Sequence, residues 1–255
     1  MSILKQIINN KVKEVDYLKK NNSIKNLEKS IFFSKKTFSL KHSLKDKSGI
    51  ISEFKRKSPS ISDINLNAEV LQVTKGYELA NSSAISILTD NLFFGGENLD
   101  LVSVRNQINI PILRKDFIID EYQIYESKVY QADIILLIIS ILSDYELKCF
   151  LDISKELKLD VIIEAHDDEE IKRAMKLGYP IIGINNRNLK NLKTDVKNSA
   201  NLFTSITKDF TVIAESGIKS LSDIEMYNEL GIFNFLIGES ILRSNNYATF
   251  IKKLL

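Results

Sequence analysis

From residue 49 onward the chain repeats one pattern: a short apolar run of β character, then a longer stretch whose apolar residues recur at helical spacing. The short runs lie at 50–54, 84–88, 111–114, 133–139, 161–165, 181–185, 211–215 and 233–238, with EVLQVTKGYELANS, EYQIYESKVYQA and DEEIKRAMKLG among the stretches between them. A period of roughly 20–35 residues suits a strand, a loop, a helix and a second loop. Eight such units predict a closed (β/α)8 barrel, the TIM barrel of the α/β class. The alternative is an open doubly wound sheet, which would carry a GxGxxG turn after its first strand; here that turn reads KRKSPS.

Upstream, residues 2–20 place Leu4, Ile7, Ile8, Val12, Val15 and Leu18 at helical spacing with Lys and Asn between them. The spacing predicts an amphipathic helix whose apolar stripe packs on its own domain rather than on a membrane. Residues 21–48 are polar and Lys-rich, and they read as a connector with a short second helix around 40–45, where His42 is a surface residue. The expected organisation is an N-terminal helical extension, 1–48, packed on a barrel, 49–255, as one structural domain.

Composition narrows the partners. Lys plus Arg number 35 against 33 acids, a net charge of +2, too balanced for nucleic acid or an anionic membrane and still open to small anions. The single Cys149 excludes an internal disulfide and a cysteine zinc site, and His166 has no second well-placed histidine, so no metal and no cofactor are expected. The start MSILKQIINNK lacks a signal-peptide core, and the run IILLII falls far short of the ~20 residues that cross a bilayer. A cytoplasmic protein, monomeric by default, is expected.

Chemistry gathers at the strand ends. In IISEFKRKS, Glu53 and Lys55 stand two residues apart and so share one side of the first strand. Burying an ionised group costs several kcal/mol unless it is paired, so the two read as a site or as a structural ion pair. Other strands end in Thr89 and Asp90, Lys115 and Asp116, Glu164 and His166, Asn185 and Arg187, Glu215 and Ser216, and Gly238 and Glu239; strand four ends LLIIS and offers apolar wall. A barrel brings all these ends to one face. The turns ESGIKS and IGESILR follow strands seven and eight, where backbone N–H groups of Gly217, Gly238 and Glu239 can converge on a phosphate if the Glu239 side chain turns away.

The strings SEFKRKSPS, PILRKDFIID with YQIYE, VIIEAHD, IIGINNRNL, IAESGI and FLIGES, together with the start ILKQIINNKVKEV, resemble the indole-3-glycerol phosphate synthase family of tryptophan biosynthesis over residues 2 to about 250. The resemblance implies a carboxy-lyase that converts 1-(2-carboxyphenylamino)-1-deoxyribulose 5-phosphate into indole-3-glycerol phosphate, carbon dioxide and water. It implies Lys115 as general acid of ring closure, and Lys55, Glu53 and Glu164 in the later steps, Lys55 as acid and Glu53 as base. Asn185 and Ser216 would contact substrate hydroxyls and catalytic side chains, and Glu215 would hold a lysine. Arg187 and Leu189 would border the anthranilate pocket, with Phe94 and Phe117 as its aromatic walls. Ser58 would join Gly217, Gly238, Glu239 and Ser240 around the phosphate. The two lysines are expected to lower each other's pKa while the carboxylates raise them. His166 is left to packing or a loop hydrogen bond. One departure stands out: SPS runs into Ile61, Ser62 and Asp63 where family members carry Gly, which bears on the path of the first loop.

Rival functions remain distinguishable. The pathway's phosphoribosylanthranilate isomerase needs a Cys base at the end of its first strand, whereas Cys149 lies in a helical stretch. An aldolase-type barrel would use Lys115 or Lys55 as a Schiff-base amine. A non-catalytic phosphate-binding barrel would have no need of four charges in one mouth. Other tryptophan-pathway enzymes are possible partners, and the first helix is expected to pack near the mouth and help order the first loop.

Overall fold

The computed structural model describes residues 2–31, 37–44, 48–188 and 192–255. Its strands are β1 (Gly49–Phe54), β2 (Ala84–Leu88), β3 (Ile112–Lys115), β4 (Ile134–Ile138), β5 (Asp160–Ala165), β6 (Ile181–Asn185), β7 (Thr211–Glu215) and β8 (Asn234–Ile237). Each pairs in parallel with its sequence neighbours, and β1 pairs with β8, closing the barrel. The strands read as continuous apolar runs because both faces are covered. Ile51, Ala84, Leu113, Leu136, Ile162, Ile213 and Leu236 fill the interior. Ile50, Ile85, Ile87, Ile135, Ile163 and Phe235 form the layer beneath the helices.

That outer layer also holds a charge. Arg114 on β3 faces the helix Glu121–Val129 and is 1% exposed. Its guanidinium donates to Thr89 Oγ1 at 3.2 Å, Gln123 O at 3.1 Å and Ser127 Oγ at 3.1 Å, and pairs with Asp116 at 3.2 Å and Glu126 at 2.8 Å.

The extension differs from expectation in two respects. Residues 24–31 are not connector but a helix, Ile24–Ile31, whose Leu27 packs with Val15 and Tyr122. In the first helix, Ile3–Asn21, the buried residues are Ile7, Lys11 and Val15, while Val12 is 45% exposed. An ammonium replaces the expected valine on the inner face because Lys11 reaches carboxylates at the barrel mouth, described below. The short helix appears at Leu40–Ser43 with His42 exposed as expected; Lys45 lies outside the described residues. This segment closes the barrel floor, where Leu40 N and Ser39 Oγ donate to Asp160 at 2.6 and 3.0 Å and Phe38 N donates to Asp133 at 2.8 Å. Leu40 and Leu44 insert into the interior apolar cluster.

Candidate active site

The C-terminal ends of the strands surround a cavity of about 1030 Å³. Alternation along β1 turns Ile51 and Glu53 inward, and Lys55 follows just beyond the strand, its Nζ 2.5 Å from Glu53 Oε1. Lys115, last on β3, reaches across to Glu164 of β5 at 3.0 Å and Glu215 of β7 at 2.6 Å. Asn185 of β6 bonds to the Glu164 carboxylate through its side chain and accepts from Arg187 N at 2.9 Å.

Glycines make room for these carboxylates. A Cβ at Gly183 would collide with Glu215 Oε1, and one at Gly238 would lie 2.6 Å from Glu53 Oε1. Gly238→Ala is therefore expected to cost about 1–3 kcal/mol and to push Glu53 away from Lys55. A denaturant titration beside an activity measurement checks this, and a variant with wild-type values on both would contradict it.

Burial alone would lower the pKa of Lys115, but the Glu215, Glu164 and Glu53 carboxylates override it and hold the amine well above its ordinary value, as an ammonium. Of the two opposing influences expected on it, that of the carboxylates prevails. For Glu164, burial raises the pKa, yet Lys115 and His166 bring it below the usual range. For Glu215, burial dominates, Lys115 opposes it and Glu164 and Glu53 add to it, leaving the acid pushed up to about 7. An acid whose folded pKa is raised contributes stability that is fully present below its unfolded value, near 4.5, and lost as pH rises through about 7. Glu215→Gln is expected to remove that fall in stability. Denaturation midpoints of both proteins across this window test it, and parallel curves would refute it.

The His166 ring bonds not to a loop but to the following helix, Asp168–Leu177, its Nδ1 lying 3.2 Å from Glu170 Oε2, and its Nε2 lies 3.4 Å from Glu164 Oε1. Asn186 was missed in the sequence. Buried, it donates to Ser216 O at 2.9 Å and Tyr227 Oη at 2.8 Å and accepts from Ser199 N at 2.9 Å, which fixes the turn after β7. Only its adjacency to Asn185 at a strand end marked it.

That turn runs through Ser216 and Gly217 with φ of 69° and 84°. A Cβ on Gly217 would also approach Thr194 Cγ2 to 2.8 Å. Ser240 Oγ donates to Ile218 O at 2.8 Å and so joins this turn to the one after β8. Gly217, Gly238, Glu239 and Ser240 line the cavity together. The Glu239 carboxylate pairs with Arg243 at 3.2 Å along its own helix, Glu239–Leu242, and lies 4.0 Å from Arg187.

The first loop needs no glycine. Ser58 N donates to Ile61 O at 2.8 Å and Ile61 N to Ser58 O at 3.0 Å, and no residue from 56 to 63 has a positive φ. Ser60 Oγ accepts from Arg187 at 2.7 Å, tying the loop to the far side of the mouth. Lys57 N donates to Phe94 O at 3.2 Å, and Arg56 pairs with Asp100 at 2.6 Å. The first helix does approach the mouth, where Ile3, Leu4 and Ile7 line the cavity, but its buried ion pairs go to the loops after β2 and β3 rather than to the first loop. Phe94 and Phe117 stand in the same apolar wall, ring centroids 6.1 Å apart, beside Leu136 and Ile138. Leu189 lies outside the described residues. Among the described residues no group of three or more His, Cys, Asp or Glu side chains could hold a metal ion. No described helix is long and apolar enough to cross a membrane.

A closed (β/α)8 barrel with paired lysines and carboxylates at its C-terminal mouth, an apolar wall on one side and two glycine turns on the other, defines a barrel enzyme. Residues 4–254 match the family model described as indole-3-glycerol phosphate synthase. The protein of that name from Caldanaerobacter subterraneus is 43% identical over 99% of this chain and 98% of its own length. Its counterpart from Legionella pneumophila is 40% identical over 100% of this chain and 98% of its own. The chain belongs to the indole-3-glycerol phosphate synthase family. Among solved structures, KGPDC from Streptococcus mutans superposes with a TM-score of 0.63 at 13% identity, over 82% of this chain and 96% of that one, a likeness of fold.

Proposed function

We propose that this site converts 1-(2-carboxyphenylamino)-1-deoxyribulose 5-phosphate to indole-3-glycerol phosphate, with the phosphate at the Gly217 and Gly238 turns and Ser58. The aryl end lies against Phe94 and Phe117, with Arg187 beside its carboxylate and Leu189 assigned to the same border. The observation that carries the reading is Lys115, an ammonium held between Glu164 and Glu215 at the centre of the mouth.

Ring closure joins the aryl carbon bearing the carboxylate to the ketone carbon, and Lys115 gives its proton to the oxygen as the carbonyl bond opens. Loss of carbon dioxide then returns the C–CO2 electron pair to the ring. Dehydration follows: Lys55 protonates the departing hydroxyl, and Glu53 takes the proton released as the double bond forms. Two protons are given and one is taken, so each turnover draws one proton from water, matching a carboxylate that leaves as neutral carbon dioxide. Glu164, 3.0 Å from Lys115, is a second acceptor that can return a proton to that amine directly. Asn185 orients Glu164, and Ser216 faces the sugar hydroxyls. A Schiff-base aldolase is disfavoured because its lysine must be neutral to attack a carbonyl, and three carboxylates hold Lys115 charged.

The chain has no Trp, so indole emission reports product alone. Mixing protein and substrate without added metal or cofactor is expected to give a rise in that emission. A folded protein that binds the substrate and gives no rise would sink the assignment. We place the enzyme in the cytoplasm as a monomer, which fits a biosynthetic activity on a phosphorylated small molecule. A single species of twice the monomer mass in sedimentation would overturn the second point.

A further inference from the structure

The mouth holds a charge cluster that the reaction does not use. Lys11, on the first helix, is 1% exposed, and its ammonium lies 3.0 Å from Asp116 and 3.4 Å from Asp90, with side chains 1% and 0% exposed, and 3.0 Å from Glu14. Burial would lower its pKa, but Asp116, Glu14 and Asp90 raise it above the ordinary value, so the group is an ammonium.

Each buried aspartate fixes the backbone beside one aromatic wall. Asp90 Oδ1 accepts from Phe93 N at 2.8 Å, capping the short helix Asn91–Phe94 that ends in Phe94. Asp116 Oδ1 accepts from Phe117 N at 2.8 Å, and its Oδ2 accepts from Thr89 at 2.7 Å. One and two turns earlier on the helix, Ile7 and Leu4 face the cavity. Lys11 thus joins three separate segments at the point where the two rings meet.

We infer that Lys11 is a positioning residue: by bridging Asp90 and Asp116 it sets the spacing of Phe94 and Phe117 and makes the first helix part of the pocket for the substrate's aromatic ring. This rests on the reading of Phe94 and Phe117 as the aryl wall. A cation is required because two buried carboxylates converge there, with Arg114 pairing only with Asp116 of the two, and no apolar side chain could hold the loops together against their repulsion. The catalytic groups on β5 and β7 and the phosphate turns lie outside this linkage, and Lys115, the neighbour of Asp116, is held from the far side by Glu164 and Glu215, so the loss falls chiefly on binding of the ring.

The test is Lys11→Met in the full chain, with kcat and KM followed by indole emission and inorganic phosphate as a competitive probe of the opposite rim. The expected result is a KM raised at least tenfold, kcat within about threefold of wild type, and an unchanged inhibition constant for phosphate. If Lys11→Met does not fold, Asp90→Asn keeps the capping oxygen while removing one charge, and a smaller KM rise with the same split is expected. A folded variant with wild-type KM, or activity lost only in proportion to the unfolded fraction, overturns the inference. Phe94→Ala separates the two levels. If it raises KM while the charge variants do not, the positioning role fails alone; if it leaves KM unchanged, the aryl wall fails and the inference with it.

Discussion

Lys115→Ala is expected to lower kcat by about 10²–10⁴-fold, the range for removing a positioned general acid, while the protein remains folded. Among the described residues its ammonium pairs with both Glu164 and Glu215, so in the variant Glu215 loses its ion-pair partner while Glu164 keeps Asn185 and His166. No neighbouring donor replaces it, since Lys55 is paired with Glu53 at 2.5 Å on another strand. Stability should change with a definite pH dependence. Lys115 is held above its ordinary 10.5, so its pairing stabilises the fold throughout the range below that pH. Without it, Glu215, already pushed up to about 7, takes up a proton more readily, and the loss is greatest where both acids would have to ionise. Indole emission measures the first effect and denaturation at two pH values the second. Turnover within tenfold of wild type would remove Lys115 from the acid role.

The largest effect on stability is expected at Arg114. Its side chain makes five polar contacts without solvent, and Arg114→Met leaves Glu126 buried without its pair and Asp116 with one cation fewer. Breaking a buried pair from one side typically costs about 3–5 kcal/mol. A urea titration should show a loss of that size with little change in slope. Asp116 adds a pH signature. Burial raises its pKa, yet Lys11, Arg114 and Thr89 hold it at about 2, so its contribution is present above 3.8 and lost as pH falls through about 2. Removing Arg114 should move that loss to higher pH. A destabilisation below about 1 kcal/mol would mean the guanidinium is dispensable and the Lys11 bridge carries Asp116 alone.

How the sequence anticipated the site depends on the kind of signal each residue left. Glu53, Lys115, Glu164 and Glu215 were legible because a charge at the end of an apolar run violates the pattern around it, and a barrel sends such violations to one place. Arg114 broke the same pattern and was passed over, although its neighbour was selected. Alternation puts Lys115 inside the barrel and Arg114 outside it, so one of two adjacent cations faces substrate and the other holds a helix. Asn186 left almost no trace, for its work is to hold a turn contributed by another strand.

Along the chain itself, short apolar runs alternating with stretches of 3.6-residue spacing settled the eight strands and the class of fold, since both patterns follow from local backbone geometry. The order of apolar and charged positions also settled which residues reach the mouth. Tertiary structure alone decided who pairs with whom. It turned Lys11 inward in place of Val12, made a helix of 24–31 packed on the helix Glu121–Val129, and set Glu215 apart from Glu164 in acidity. Each outcome depends on groups far away in the sequence and on how completely water is excluded around them, and neither is encoded in any local period.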